Sequence, residues 1–273
     1  MRVSFFPFTT FTLFLACYLP TAHAVDDWYR PPVALTWHWQ LDGEVNENYP
    51  VDLYDIDLFD SSVELIQRLH TSGKKVICYF SAGSYEDWRP DAKQFKQKDL
   101  GKTLSGWADE KWLDIRSKSV RNIMLARLDL AVAKGCDGVE PDNVDGHRQF
   151  TSFSLRAYHQ LDFNRFLAKE AHKRGLAIGL KNNLGQARAL VKVFDFAVNE
   201  QCFEYSECHS LNVFIENGKP VLNAEYRKIY VDDADERRAI CKASLDQKLS
   251  SLILPLALND AFRLSCQSEL SSK

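Results

Sequence analysis

The chain lacks the features that mark several common classes of protein. It has no basic excess: 34 Lys and Arg stand against 37 Asp and Glu, for a net charge of −3. No basic block occurs either, so nucleic acid is not an expected partner. No glycine-rich phosphate turn follows the first strand-like segment, which argues against an open dinucleotide-binding sheet. No H-x-H or H-E-x-x-H motif is present, and the seven histidines are scattered. A histidine-held catalytic metal is therefore not indicated. No cysteine pair has zinc-finger spacing with histidines. Beyond the N-terminus there is no apolar run long enough for a bilayer span, which takes about 20 residues. Internal repeats, linkers and low-complexity segments are missing as well.

What the N-terminus does have is the three-part pattern of an export signal. Arg2 supplies the positive start, residues 5–19 the apolar stretch, and Ala22-His23-Ala24 a small-x-small cleavage site. The stretch is short for a span and the cleavage motif follows at once. A signal peptide over residues 1–24 is expected, rather than an anchor. Cys17 follows Leu15-Ala16 in the manner of a lipoprotein acceptor, but Phe14 stands where leucine is usual. Lipidation is the minor alternative. Residues 25–273 are then expected to form one catalytic domain, secreted or periplasmic. That length fits a single α/β barrel.

Six cysteines remain after Cys17. Export permits disulfides. Cys202 and Cys208 lie close together in a loop-like stretch, and Cys241 and Cys266 lie in the C-terminal part; both pairs are candidate bridges. Cys78 and Cys136 sit beside strand-like apolar residues and are expected as buried thiols.

Short apolar strands alternate with amphipathic helices. Strands are expected at residues 33–41, 53–58, 75–80, 138–142, 176–181, 194–199, 220–224 and 252–256. Helices are expected at 61–70, 119–134, 155–174, 185–193, 211–217 and 233–248. Ser61-Ser62-Val63-Glu64 gives the first helix a capping-box-like start, and Gly73 closes it. Residues 82–115 are expected as a long loop carrying Trp88, Trp107 and Trp112; long loops in compact domains are usually functional. Repeated βα units imply parallel strands with right-handed crossovers. Eight of them indicate an α/β fold of one kind, a single (β/α)8 TIM barrel preceded by a signal peptide. The alternative is an open doubly wound sheet.

In such a barrel the active site is built at the C-terminal ends of the strands. Those ends are polar: Trp37-His38-Trp39-Gln40, Asp55-Ile56-Asp57, Tyr79-Phe80-Ser81, Glu140-Pro141-Asp142-Asn143, Lys181-Asn182-Asn183, Asn199-Glu200-Gln201 and Glu225-Tyr226. Singly, each acid is more often a solvated loop residue or a helix cap. Together, carboxylates at strands two, four, six and seven form one acidic mouth. On the fourth strand, alternation puts Glu140 and Asp142 on one face and Val139 on the other. Val139 suits the helix layer, so the acids point into the mouth. A carboxylate there is costly unless it is hydrogen-bonded or used. Two carboxyl groups flanking a bond are what glycoside hydrolysis requires: one protonates the leaving oxygen, the other attacks the sugar or activates water. Trp37, Trp39, Tyr79 and Trp88 offer stacking faces for sugar rings, although core packing accounts for any one of them as well.

Several of these blocks occur together. Gly138-Val139-Glu140-Pro141-Asp142-Asn143, Val76 to Gly83, Lys181-Asn182, Asn199 to Tyr205, Asn223-Ala224-Glu225-Tyr226 and Tyr54 to Asp60 resemble the endo-α-1,4-polygalactosaminidase family of glycoside hydrolases. The resemblance runs from about Trp37 to Leu256. It implies a TIM barrel, no metal or other cofactor, and a polysaccharide substrate rich in galactosamine. It also implies an acid pair at strands four and six, which here are Asp142 and Glu200. Asn182 and Glu225 match positions that line the cleft. Trp37, Asp55, Asp57, Tyr79, Glu140, Asn143, Lys181 and Tyr226 complete the expected substrate-binding set. The acidic residues Asp42, Glu44, Asp55, Asp57, Glu86 and Asp87 would concentrate a cationic, deacetylated polymer. Two other readings stand beside this one. One is a catalytically inactive barrel that binds polysaccharide. The other is a hydrolase using a metal held by Asp55, Asp57 and Asp142, since oxygen ligands suit Mg²⁺ or Ca²⁺.

Overall fold

The computed structural model describes Met1, Val3, Ser4 and residues 28–269. The expected signal peptide, its cleavage site and Cys17 lie outside the described residues, apart from those three at the start. The chain runs β1 (Trp37–Gln40), β2 (Leu53–Asp57), α1 (Val63–Thr71), β3 (Lys75–Ser81), β4 (Ser84–Glu86), β5 (Leu100–Leu104), β6 (Trp107–Leu113), α2 (Lys118–Lys134), β7 (Gly138–Asp142), α3 (Ala157–His172), β8 (Ala177–Lys181), α4 (Ala187–Leu190), β9 (Phe196–Glu200), α5 (Asn212–Glu216), β10 (Val221–Glu225), α6 (Lys228–Asp232), α7 (Ala234–Asp246), β11 (Ser250–Ile253), β12 (Leu264–Ser265) and α8 (Cys266–Glu269). Short polar side chains start α1, α2 and α7. Ser62 accepts from Leu65 N at 3.1 Å before α1, and Asp233 accepts from Asp235 N at 2.8 Å before α7. Each satisfies a backbone N–H that the helix leaves unpaired.

The main sheet has the order β1-β2-β3-β7-β8-β9-β10-β11-β12. Its first eight strands are parallel, and β12 is antiparallel to β11. The sheet curls until its two ends touch: the Trp37 indole N–H of β1 donates to Ser250 O of β11 at 2.8 Å. Ser250 Oγ donates to Leu35 O at 2.7 Å, just before β1. The side chains on the inner face form one apolar cluster, including Trp37, Leu53, Ile77, Phe196, Leu222 and Leu252. Small residues make room for these large ones. A Cβ on Gly179 would lie 2.4 Å from the Phe196 ring. The outer face, with Tyr54, Val76, Cys78, Phe80 and Val139, packs against helices through residues such as Ile66, Leu128 and Phe163. Period-two alternation along each strand therefore sorts two separate cores.

Three expectations need correction. Cys78 and Cys136 are joined in a disulfide with Cα atoms 6.0 Å apart, and are not free thiols. Cys78 lies on the outer face of β3, and the chain leaving α2 passes it just before β7 pairs with β3. Cys202–Cys208 and Cys241–Cys266 are bonded as expected. Residues 82–115 are not a plain loop. They hold a three-stranded antiparallel sheet of order β4-β6-β5, with Gly106 in the left-handed region at the β5–β6 turn (φ 88°). The expected helix at 185–193 is α4 with a 3₁₀ turn before it.

Candidate active site

Three consecutive strands, β7, β8 and β9, end the same way. The residue after each lies in the left-handed region: Asn143 (φ 59°), Asn182 (φ 49°) and Gln201 (φ 62°). Asparagine tolerates this conformation better than most residues, and such strain clusters at functional sites. The sharp turn leaves the last strand residue, Asp142, Lys181 or Glu200, facing the mouth. Above β3 the chain presses close: Ala82 N and Gly83 N both donate to Asp142 O. A Cβ on Gly83 would fall 1.7 Å from Asn143 O, so only glycine fits there.

Lys181 is the centre of this arrangement. Its ammonium is 3.2 Å from Glu140 Oε1, 3.3 Å from Asp142 Oδ2 and 3.3 Å from Glu200 Oε2. It also lies 4.7 Å from the Trp39 ring centroid. The side chain is almost wholly buried. Burial alone would neutralise it, but Asp142, Glu140 and Glu200 hold it well above the ordinary lysine range. The ammonium is therefore permanently charged and ties three carboxylates together.

Each of the two outer carboxylates has further donors. The Tyr79 hydroxyl donates to Asp142 Oδ2 at 3.1 Å, and Asn143 N donates to Asp142 Oδ1 at 2.6 Å. The Tyr226 hydroxyl donates to Glu200 Oε1 at 2.5 Å. Asn182 Nδ2 reaches Glu200 Oε2 at 3.4 Å, while Asn182 Oδ1 accepts from Glu200 N and Asn199 Nδ2. Burial raises the pKa of Glu200, but Lys181, Tyr226 and Asn182 outweigh it and hold the group below the usual glutamate value. Glu200 is thus an anion near neutrality.

Asp55 and Glu140 lie below, both fully buried. Burial, with the neighbouring acids Glu140 for Asp55 and Asp142 for Glu140, pushes Asp55 well up and Glu140 up to about 7, against the opposing pull of Lys181. Two facing carboxyls in a dry site share a proton. The pair lies beneath Lys181 and does not line the cleft.

The remaining expected site residues are placed as follows. Asp57 lines the cleft, but its carboxylate is held by Arg89 (2.6 Å) and by Phe59 N and Asp60 N. Trp37 is fully buried in the inner core beneath Trp39, and Trp39 lines the cleft instead. Glu225 sits on the outward face of β10 and accepts from Phe203 N at 2.9 Å, bracing the loop after β9. It does not line the cleft, because alternation sends it the opposite way from Ala224 and Tyr226. Trp37, Asp55, Glu140 and Glu225 are thus expected ligand contacts that the structure places elsewhere.

The cleft itself measures about 610 Å³ and contains Asp142, Lys181, Glu200, Tyr79 and Trp39. It continues past Asp142 into a second arm of about 420 Å³ lined by Lys102, Asp145 and Phe150. Trp107, half exposed, borders both arms. The inserted sheet supplies one wall, with Glu86, Trp107 and Glu110, and the segment joining β4 to β5 adds Trp88 and Arg89. Sequence reasoning missed Glu110 and Arg89. The usable signal was the Ser105-Gly106 turn, which makes a hairpin of residues 100–113 and so fixes which side chains face inward.

Among the described residues, no group of three or more His, Cys, Asp or Glu is arranged to hold a metal ion. The space between Glu140, Asp142 and Glu200 is taken by the Lys181 ammonium. No helix among the described residues is long and apolar enough to cross a membrane.

Carboxylates over a curled parallel sheet, at the floor of an aromatic-lined cleft, fit the chemistry of a sugar-cleaving class of enzyme. The chain belongs to glycoside-hydrolase family GH114, whose model matches residues 19–271. It is similar to Ega3 of Aspergillus fumigatus, solved in complex with galactosamine. The identity is 42%, the match covers 87% of this chain and 97% of that one, and the TM-score is 0.82. The glycoside hydrolase domain of PelA from Pseudomonas aeruginosa shares the fold at 17% identity, with 84% and 98% coverage and a TM-score of 0.67. Amy13B of Eubacterium rectale shares the fold more distantly, at 10% identity, 84% and 66% coverage and a TM-score of 0.56. No curated protein matches the chain. The protein is a glycoside hydrolase of the polygalactosaminidase type.

Proposed function

We propose that the protein cleaves an α-linked, galactosamine-containing polysaccharide by a two-carboxylate mechanism, with Asp142 and Glu200 as the reacting pair. The observation that carries this reading is the shared ammonium: Lys181 sits 3.3 Å from both acids at the floor of an open cleft. It fixes their spacing and keeps Glu200 ionised while leaving their outer faces free for a glycosidic bond. One acid protonates the leaving oxygen, and the other attacks the sugar or activates water.

The substrate class rests on the likeness to Ega3 and on charge. A deacetylated galactosamine unit carries an ammonium, and the cleft is rich in carboxylates. Tyr79, Asn143, Asn182 and Tyr226 orient the two acids, and Trp39, Trp88 and Trp107 offer faces for sugar rings. The cleft continues on both sides of the acid pair, which suits cutting within a chain. We further propose that residues 25–273 form the single catalytic (β/α)8 barrel, exported after removal of a signal peptide. The three disulfides support an oxidising compartment.

The test is product analysis after incubation with deacetylated galactosamine polymer, with and without a strong chelator. Release of short oligomers in both conditions is the expected result. Binding without cleavage would favour an inactive polysaccharide-binding barrel. Loss of activity with chelator, restored by one divalent ion, would favour a metal-dependent mechanism.

A further inference from the structure

The wall of the cleft holds a carboxylate that the two-acid mechanism does not use. Glu110 lies on β6, directly opposite Glu86 of β4 in the antiparallel register. Like charges directly opposite each other destabilise a strand pair. Both residues are buried, Glu86 at 2% and Glu110 at 8% exposure, where an ionised carboxylate is costlier still. The two are handled differently. Glu86 is neutralised by Arg89, 2.8 Å away, with Arg127 behind it at 3.6 Å. Arg89 is already shared with Asp57, and no basic side chain forms an ion pair with Glu110 among the described residues. Glu110 accepts only a neutral hydrogen bond, from Ser84 Oγ at 2.6 Å.

Burial therefore pushes Glu110 up to about 7, with Glu86 and Asp142 adding to the rise and Ser84 and Arg89 opposing it. It stands in the cleft with Trp107 and Tyr79 beside it, short of one cation. Its hydrogen-bond chain leads to the reacting pair: Ser84 Oγ accepts from Asn143 Nδ2 at 3.1 Å, and Asn143 N donates to Asp142. A wall residue of this kind suits one ligand group, a positive charge that enters with the substrate.

We infer that Glu110 is a specificity residue, which selects a sugar unit with a free amino group by accepting a hydrogen bond from that unit's ammonium. An N-acetyl group in the same place brings no positive charge and leaves the carboxylate beside Glu86 unpaired, which favours its protonated form. The substrate ammonium supplies the missing counter-ion, and Glu110 gives up its proton to solvent. The selection acts at one subsite, beside Asp142, so other units of the chain are free to be acetylated. This inference rests on the galactosamine reading above.

Glu110→Gln is the suitable variant, because the glutamine carbonyl still accepts from Ser84. Wild type and variant are compared on fully deacetylated and partly N-acetylated galactosamine polymer, with products sequenced by mass spectrometry. Circular dichroism checks that both are folded, and calorimetric titration with galactosamine and N-acetylgalactosamine gives a second reading. For the variant, a KM about tenfold higher on deacetylated polymer is expected, with kcat changed less than about threefold. It should also cut next to acetylated units that wild type leaves intact, and its affinity for galactosamine alone should fall. Active wild type with unchanged KM, product pattern and galactosamine affinity in the variant would overturn the role of Glu110 alone. Wild type inactive on every galactosamine polymer would overturn the substrate reading, and this inference with it.

Discussion

The floor and the wall of the cleft solve the same problem in opposite ways. Both bury several carboxylates at close range. On the floor, the buried Lys181 ammonium lies within ion-pair distance of three of them, and Asp55 and Glu140 are pushed towards the protonated form. On the wall, Arg89 neutralises Glu86 and Asp57, and Glu110 is left with a hydroxyl. A cluster tied to one buried cation holds its shape whether or not a ligand is present. A wall short of one cation gains most when a cation arrives. Under the proposed mechanism, the comparison separates a part that positions the reacting groups from a part that selects what reaches them.

The sharpest way to break the floor is Lys181→Met. Removing the shared ammonium leaves buried charges without a partner, which costs about 3–5 kcal/mol. Urea unfolding should show that loss, and activity should fall at least about a hundredfold through the misplaced acids. An unchanged midpoint would mean that the three carboxylates are protonated and the floor is not ionic. Next in size is the Cys78–Cys136 bond, which ties β3 to the chain entering β7 under the floor. Replacing both cysteines by serine should cost about 2–4 kcal/mol, read by thermal melts. The wall at Glu110 should be little affected.

On the wall, Trp107→Ala removes a half-exposed ring that borders both arms. A loss of about 1 kcal/mol of contact would raise KM a few-fold with kcat preserved. A fall in kcat alone would place Trp107 with the positioning groups. The smallest effect is on stability against pH. The folded-state pKa of Glu110, about 7, lies above the ~4.3 of an unfolded glutamate. Its contribution is full below the unfolded value and is lost as pH rises through about 7. Between pH 5 and 8 the Tm of Glu110→Gln should therefore improve relative to wild type. A constant difference would mean that Glu110 titrates normally.

The same division governs what could be read from the sequence. The eight parallel strands were legible because alternation and the βα rhythm are local signals, and the fourth-strand acids followed from Val139 facing outward. Lys181 was legible as a strand-end residue, but its central place was not, because that depends on the register of β7, β8 and β9 together. Trp37 shares the inner face with Trp39 but lies one period deeper in β1, while Glu225 lies on the face opposite Ala224 and Tyr226. Residues 82–115 hid their sheet because β6 carries Ala108, Asp109, Glu110 and Lys111, with little apolar alternation. The Cys78–Cys136 contact joins residues 58 apart, a proximity that no local pattern encodes.

The central claim is that Asp142 and Glu200 are the reacting pair. It is tested most directly by initial rates of Asp142→Asn and Glu200→Gln on deacetylated galactosamine polymer, with circular dichroism to confirm folding. The account predicts a loss of about a hundredfold or more in kcat for each, with spectra like that of wild type. Wild-type-like rates in both folded variants would contradict it.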